Sequence, residues 1–338
     1  MESSRAIEVR ELSQVGEARR AALFEAQQMG LTAVACGNVA VVVTEMATNL
    51  LKHAQRGTIV FGPGAGGGLD LLAIDAGPGM RNIAECLRDG VSTTGTGGGG
   101  LGAIQRLTNL FDIYSQADGG TVVYAGFATG ESRATQGVGG GISLPKRGEQ
   151  VCGDRWGFAS APDVIDLVMA DGLGHGIDAG RAALAAMEVW SLSRERFGPA
   201  ALLEIAHRAL RATRGAAVAY TRFYRAREIL AFAGLGNIGG AIVDLDRKTR
   251  HLVSYNGTVG VQAVTFREFE YPVPAAALII LFSDGLISHW DLARYPGLLH
   301  RHPAVVAGIL WRDYNRGRDD VSISVLRPTG SPQSWHTS

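Results

Sequence analysis

Apolar residues recur at helical spacing in two stretches near the start of the chain. Gln14 to Met29 carries Ala, Leu and Phe at this spacing, and Thr32 to Ala54 places Val, Met and Leu residues on or near one stripe. Leu69 to Ile74 is a short apolar run followed by an acid and a glycine turn, which is typical of a buried strand. We therefore predict two helices followed by a strand in this part of the chain.

The pattern changes after the glycines at positions 137–141. Short strand-like runs bounded by Gly, Asn and Pro then fill most of the chain, interrupted by two Ala- and Leu-rich helical stretches, Ile177 to Phe197 and Pro199 to Arg214. Strands, then two helices, then many strands indicate two sheets packed face to face with the helices outside. The chain as a whole is therefore predicted to be α+β.

This patterning divides the chain into two domains. We expect the domains to span residues 1–128 and 142–328, joined by a Gly-rich linker at 129–141. The polar residues 329–338 are expected to form a disordered tail. A chain of 338 residues with 46% hydrophobic residues is long enough for two ordinary cores.

Charge and cysteine content narrow the class of protein. Lys plus Arg equals Asp plus Glu at 32 each, so no net field favours a nucleic acid or an anionic membrane as partner. Cys36, Cys86 and Cys152 lie far apart, which fits a reducing compartment. No opening segment resembles a signal peptide, and the longest apolar run is far below the ~20 residues of a spanning helix. We expect a cytoplasmic protein.

Four acidic signals border strand-like runs in the second half of the chain. Asp171 follows the apolar run of VIDLVMADGLGHG, and the others are Asp154, Asp284 and the pair Asp319 and Asp320. With no Cys or His repeated among them, they form an all-oxygen set suited to Mg²⁺ or Mn²⁺. Each acid alone also fits a turn or a strand cap, but their joint spacing favours a metal site.

The motifs ADGLGHG at 170–176, GD at 153–154, SDG at 283–285 and DD at 319–320 carry a family resemblance. This half resembles the metal-dependent (PPM) serine/threonine phosphatases, most closely the bacterial branch of the sporulation stage II protein E and stressosome feedback phosphatases. The resemblance implies two divalent ions that activate a shared water for attack on phosphorus.

By this resemblance, Asp171 bridges the two ions. Asp284 and Asp320 complete one ion, and Asp154 with the backbone carbonyl of Gly172 completes the other. His175 either protonates the leaving serine oxygen or caps the helix that follows, and the sequence leaves both roles open.

Polar residues interrupt the apolar pattern of the first half as well. Glu45 and Asn49 lie four residues apart and therefore on one face of a predicted helix, where they need each other or a polar ligand as partner. Asp75 opens the turn DAGPG, and GTGGGGLGAIQRL at 95–107 passes from glycines to a helical pattern. A glycine-rich loop before a helix N-terminus offers backbone N–H groups to phosphate oxygens.

This ordered set resembles the GHKL ATP-binding fold, most closely its anti-sigma-factor serine kinases and the stressosome switch kinase. The resemblance implies that Asn49 coordinates Mg²⁺ at the ATP phosphates and that Glu45 is the general base for a substrate serine. Asp75 would bind the adenine amino group, while Gly77 and Gly79 let the backbone approach the base. Four further positions would wrap the phosphates: Gly98, Gly100, Leu101 and Gly102.

Together the two resemblances imply a bifunctional regulator of a partner-switching pathway. Its kinase-like domain would phosphorylate a STAS-type anti-sigma antagonist or a stressosome protein, and its phosphatase would remove that phosphate. A sigma factor or a downstream phosphatase is a further candidate partner, and a homodimer is compatible with the sequence. The alternative is a phosphatase with a non-catalytic ATP-binding module that sequesters or activates a partner; a third reading is an ATPase that gates the phosphatase.

Overall fold

The computed structural model describes residues 3–65, 67–87, 100–129, 138–262 and 265–328. The chain forms two compact units. The N-terminal unit contains residues 4–129 together with Tyr295–Arg312, and the C-terminal unit contains residues 138–294 and 313–328. A segment late in the sequence therefore belongs to the first unit.

The N-terminal unit is built on one five-stranded sheet. Its strands form an antiparallel sheet in the order β1-β2-β3-β5-β4. Its elements, up to residue 129, are β1 (Arg5–Val9), α1 (Leu12–Gln28), α2 (Ala33–Asn49), β2 (Gly57–Pro63), β3 (Leu69–Asp75), α3 (Ile83–Cys86), α4 (Gly100–Leu107), β4 (Leu110–Ser115) and β5 (Thr121–Phe127). A π-helical turn, Leu50–Ala54, continues α2.

Local signals explain where the first helices begin. The side chain of Thr32 accepts a hydrogen bond from the backbone N–H of Ala35 and so caps α2. Six side chains of α2 are buried in the core between the helices and the sheet: Cys36, Val39, Val42, Val43, Met46 and Ala47. Helix Ala33–Ala54 is long and apolar enough to cross a membrane by length and composition, and in this structure its apolar side chains contribute to that core.

The C-terminal unit contains two antiparallel five-stranded sheets, with strand orders β13-β10-β9-β8-β7 and β12-β11-β14-β15-β6. Its elements are β6 (Val138–Leu144), β7 (Asp154–Ser160), β8 (Val164–Gly172), α5 (Ile177–Ser193), α6 (Pro199–Ala209), β9 (Ala216–Tyr224), β10 (Ile229–Leu235), β11 (Gly239–Val243), β12 (Thr249–His251), β13 (Phe269–Pro272), β14 (Leu278–Phe282) and β15 (Val321–Arg327). One core lies between the sheets and another between the first sheet and helices α5 and α6. The predicted sandwich with outer helices is therefore present.

Helix α7 (Pro303–Tyr314) covers the second face of the N-terminal sheet. The Cβ position of Gly308 lies 3.0 Å from Val122 Cγ1 and 3.5 Å from Ile74 Cδ1. Just before the helix, the ring of His302 stacks on Tyr124 with 4.1 Å between the ring centroids. The boundary between the units falls inside α7, after Arg312. The sequence patterning did not predict this helix or its place in the first unit.

The predicted linker at 129–141 is partly wrong, because β6 begins at Val138. Residues 130–137 lie outside the described part of the chain. The glycines of β6 are strand residues because aromatic rings of β7 lie over them: the Cβ positions of Gly139 and Gly141 fall 2.6 Å from Phe158 and 2.7 Å from Trp156. Residues 329–338 also lie outside the described part, so the tail stays a prediction.

Candidate functional site

The phosphate end of the predicted nucleotide site lies between α2 and α4. The Cβ position of Gly100, the first residue of α4, lies 3.3 Å from Asn49 Nδ2 and 3.4 Å from Glu45 Oε2. The structure therefore brings together three predicted residues that are up to 55 positions apart in sequence (100 minus 45). Both α2 side chains are partly buried, and any side chain at Gly100 would press against them.

The remaining glycine-loop positions are divided between α4 and the part of the chain that is not described. Gly98 lies outside the described residues. Leu101 packs its side chain on the core of the N-terminal unit, and Gly102 is buried. These two positions can therefore offer backbone groups only. Their contact with phosphate stays a prediction.

The base end of the predicted site lies where β3 ends. Asp75 Oδ1 accepts hydrogen bonds from the backbone N–H groups of Gly77 at 2.8 Å and Thr121 at 3.2 Å. Burial raises the pKa of Asp75, and these two N–H groups and the nearby charge of Arg312 oppose the rise. The carboxyl group is thus held in one orientation, as the recognition of a specific base edge requires.

The glycines of the DAGPG turn allow close backbone contacts. The Cβ position of Gly77 lies 2.7 Å from Ala54 Cβ, and that of Gly79 lies 2.0 Å from the carbonyl oxygen of Gln116. Gly79 also has φ of +67°, which L-residues with side chains rarely adopt. A side chain at either position would therefore force the turn to move.

The π-helical turn Leu50–Ala54 joins the two ends of this site. It starts directly after Asn49, and its last residue contacts Gly77. Such turns occur frequently at functional sites. The phosphate-end residues Glu45 and Asn49 are therefore followed along the chain by a turn that packs against the base end at Gly77. Binding of a nucleotide between the two ends stays a prediction.

The acidic site of the C-terminal unit begins with a pair of neighbouring strands. In the antiparallel ladder of β7 and β8, Asp154 lies directly opposite Asp171. Asp154 is 1% exposed, and its Oδ2 has no hydrogen-bond partner among the described residues. Burial and the charge of Asp171 raise the pKa of Asp154 well above its usual range. Burial, followed by the charge of Asp284, raises the pKa of Asp171 to about 7.

The other two acids are held by nearby donors. Asp320 accepts backbone hydrogen bonds from Lys146 at 2.7 Å and from Gly153 at 2.9 Å. The side-chain amide of Asn237 donates to Asp284 Oδ2 at 2.6 Å. Burial raises the pKa of both acids.

The sequence did not predict the contact with Asn237, because that residue reads only as part of a turn. The stretch Glu149 to Cys152 is a loop in the structure. The adjacent backbone N–H of Gly153 bonds to Asp320 instead of joining a ladder.

The acids are close enough for their charges to affect one another's pKa, but they do not form a complete set of ligands around one point. In the described ranges, no three His, Cys, Asp or Glu side chains are close enough to hold one ion as they stand. Like charges repel, and the donors described above hold two of the acids in place. A buried carboxylate oxygen without a partner, beside several other acids, is a costly arrangement that a bound cation would relieve. The oxygen donor set fits a hard divalent cation.

His175 lies at the edge of this site, where its Nδ1 is 2.8 Å from Glu149 Oε1. The residue at the N-cap of α5 is Gly176, and no side chain caps that helix. Helix capping by His175 is therefore not what the structure shows, and proton transfer stays a prediction. Gly172 approaches α5 so closely that its Cβ position would lie 2.0 Å from the carbonyl oxygen of Ala179.

Family models match both halves of the chain. Residues 9–127 match the model of the histidine kinase-like ATPase domain, and residues 162–328 match that of stage II sporulation protein E (SpoIIE). The serine/threonine-protein kinase RsbT of Bacillus subtilis (strain 168) is 33% identical over 103 residues. The matched region is 30% of this chain and 77% of RsbT.

Solved structures resemble the chain too. One, from work on the bacterial stressosome as a modular system adapted to control secondary messenger signalling, is 27% identical with a TM-score of 0.52. The match covers 56% of this chain and 99% of that one. The RsbU and RsbW domains of a Mycobacterium tuberculosis protein match at 16% identity and a TM-score of 0.47, over 58% of this chain and 61% of that chain.

The folds and the two sites define a protein that joins a GHKL-type ATPase domain to a metal-dependent phosphatase domain of the PPM class. The chain belongs to the histidine-kinase-like ATPase family of RsbT through its N-terminal part and to the SpoIIE phosphatase family through its C-terminal part. The predicted fusion and the α+β class are confirmed. The roles of individual site residues stay predictions.

Proposed function

We propose that the protein is a bifunctional partner-switching regulator. Its ATPase domain phosphorylates a serine or threonine of a small STAS-type regulatory protein, and its phosphatase domain hydrolyses that phosphate. The observation that carries the phosphatase half is the opposed pair of Asp154, which is buried, and Asp171, which is half-buried, with Asp284 and Asp320 close enough to raise the pKa of Asp171. The similarity to RsbT supports the kinase half and the choice of a partner-switching substrate.

In the phosphatase domain, Asp154, Asp171, Asp284 and Asp320 would hold two divalent ions, Mg²⁺ or Mn²⁺, with the carbonyl of Gly172. Bound there, the ions would supply an activated water and screen the charge of the phosphate. The amide of Asn237 orients Asp284, and the N–H groups of Lys146 and Gly153 orient Asp320.

His175 would supply the proton that the leaving serine oxygen requires. Its Nδ1 faces Glu149, so that carboxylate can fix the ring and leave Nε2 as the atom that delivers the proton. Glu149 is therefore a positioning residue for His175 that the sequence motifs did not indicate.

In the ATPase domain, Glu45 would accept the proton of the substrate hydroxyl, while Asn49 would bind the Mg²⁺ of the ATP complex. Gly100 lies against both side chains. This contact supports a role for the acid and the amide at the end of the site where the terminal phosphate would lie. Asp75 would accept a hydrogen bond from the adenine amino group.

Phosphate release from a serine-phosphorylated STAS protein in the presence of Mn²⁺ tests the phosphatase. We expect Asp171→Asn to lower the rate on the order of 100-fold or more, because the acid that would bridge both ions is lost. Asp246→Asn changes an exposed turn residue in the same way and serves as the matched control. Equal rates for wild type and Asp171→Asn would contradict the proposal.

Transfer of labelled phosphate from ATP to the STAS protein tests the kinase. The assay is best run in the Asp171→Asn background, so that the phosphatase does not remove the product. We expect Glu45→Ala to abolish phosphotransfer while binding of ATP persists, and Glu17→Ala, an exposed change on α1, to have no effect. No transfer by the chain with Glu45 intact would favour a non-catalytic module that binds a partner.

A further inference from the structure

The helix that covers the N-terminal sheet comes from the part of the sequence that matches the phosphatase family. Helix α7 lies within residues 162–328, yet Tyr295–Arg312 belongs to the N-terminal unit. Every residue from His302 to Leu310 is buried. The ATPase fold of this chain therefore carries an extra layer on the side of the sheet opposite to α1 and α2.

One end of this segment is fixed to β4. Asp112, which is buried, accepts hydrogen bonds from the backbone N–H of His302 at 2.6 Å and from Arg301 Nη1 at 3.2 Å. This contact is made just before α7 begins, whereas Arg312 lies near the C-terminal end of the helix. It anchors the segment without touching a predicted nucleotide-binding residue.

The other end reaches the base end of the nucleotide site. Arg312 Nη1 donates a hydrogen bond to the backbone carbonyl of Asp75 at 3.1 Å. The Cβ position of Gly120 lies 2.2 Å from that carbonyl oxygen and 2.8 Å from Arg312 Nη1. The absence of a side chain at Gly120 is thus what lets the guanidinium reach the end of β3.

The contact acts on the residue that would choose the base. Asp75 is the last residue of β3, and its carboxyl group is oriented by Gly77 and Thr121. A carboxylate accepts a hydrogen bond from the amino group of adenine, whereas guanine presents a carbonyl oxygen at the same position. A site that satisfies one pattern rejects the other strongly only when its polar group is held in place.

We propose that Arg312 is a positioning residue of the nucleotide site, which holds the end of β3 so that Asp75 discriminates adenine from guanine nucleotides. The inference rests on the proposed ATP site of the N-terminal unit. Arg312 does not touch the nucleotide in this account; it acts through the backbone of Asp75.

Titration of the full-length protein with ATP and with GTP, each with Mg²⁺ in a calorimeter, tests the proposal. We expect Arg312→Gln to weaken ATP binding about tenfold and to reduce the preference for ATP over GTP by a similar factor, because a charge-assisted hydrogen bond is lost. Arg312→Lys keeps the charge, and its ATP affinity and preference for ATP are expected to lie between those of wild type and Arg312→Gln. The matched control, Arg301→Gln, makes the same change at the other end of the segment and should leave the preference for ATP within about twofold of wild type.

The outcomes separate this inference from the proposed function. If wild type binds no ATP, the proposed nucleotide site fails and the inference fails with it. If wild type binds ATP but Arg312→Gln and Arg312→Lys keep its affinity and preference, only the role of Arg312 is overturned. Equal losses in Arg312→Gln and Arg301→Gln, with an unchanged ratio of ATP to GTP affinity, would assign Arg312 a merely structural role and overturn it too.

Discussion

Asp70 and Asp154 are both acids whose pKa is raised by burial, but their surroundings differ. Asp70 Oδ1 accepts a hydrogen bond from the hydroxyl of Tyr124 at 2.9 Å, whereas Asp154 faces another carboxylate. The Tyr124 ring is itself covered by His302. The surroundings of Asp70 therefore fit a role in stabilising the fold, while those of Asp154 fit a cation-binding site.

The environment of Asp70 predicts a pH-dependent stability. Burial raises the pKa of Asp70 from 3.8 to about 7, so the folded state binds the proton more tightly than the unfolded chain. Stability from this group is therefore highest at low pH and falls as the pH rises from about 4 to about 7. We expect Asp70→Asn to be more stable than wild type at pH 8 and to lose most of that advantage toward pH 4, measured by urea unfolding.

The control for this prediction is Asp118→Asn, which changes an exposed turn residue whose left-handed backbone Asn tolerates. Its urea midpoint should differ from that of wild type by the same small amount at every pH. An Asp70→Asn advantage that does not change between pH 4 and pH 8 would contradict the assignment.

Residues with a local motif could be singled out from the sequence, although their roles stay predictions, and residues that act through a distant partner could not be singled out. Glu45, Asp75 and Asp171 each belong to a short motif whose residue spacing indicates a candidate function. The contacts of Asn237 and Arg312 are made with residues 47 and 237 positions away. No local pattern encodes such a contact, because it exists only once the chain is folded.

At the scale of elements, helix α7 shows where the hydrophobic pattern stops being informative. Its sequence, PAVVAGILWRDY, is apolar on nearly all sides, so it has no polar face from which a helical period could be read. Helices with one exposed face, such as α1, were predicted close to their observed bounds. The glycine-rich first part of β6, residues 138–141, was assigned to the linker for a related reason, since only the rings of β7 explain it.

The close contact of α7 with the sheet predicts a graded response at Gly308. Gly308→Ala places a methyl group 3.0 Å from Val122 Cγ1, a small clash that the better helix propensity of Ala offsets. Gly308→Leu cannot fit without moving the helix and should lower the free energy of unfolding by about 1–3 kcal/mol. Thermal unfolding of both variants measures the difference.

Gly37 provides the matched comparison in α2. It is exposed, and apart from its own helix no described residue lies within 4 Å of its Cβ position, so Gly37→Leu should be neutral or stabilising by up to about 1 kcal/mol. If Gly308→Leu and Gly37→Leu shift the unfolding midpoint alike, α7 does not pack on the sheet as described.

At the scale of the whole molecule, the acidic site is expected to trade stability for metal binding. Without metal, Asp154→Asn should raise the thermal midpoint, because it removes from a group of acids a buried carboxylate with one oxygen that no described residue hydrogen-bonds. With Mn²⁺ at 100 times its Kd, wild type should gain about 2.7 kcal/mol. Asp154→Asn should lose most of that gain.

Differential scanning calorimetry with and without Mn²⁺, and after treatment with a chelator, measures both effects. Asp246→Asn should behave as wild type throughout, since it lies in an exposed turn. Stabilisation of Asp154→Asn by Mn²⁺ to the same extent as wild type would place the metal elsewhere.

The origin of α7 has a consequence for how this protein is made. During synthesis the N-terminal strands leave the ribosome first, but Val122 and Ile74 stay uncovered until the chain has been made through Arg312. Domains generally fold as units while the chain grows. Here the N-terminal unit cannot be completed until Tyr295–Arg312 has been synthesised. A nascent chain stalled before α7 should therefore depend on chaperones. If the protein is divided between the regions that match the two family models, both fragments should be prone to aggregation.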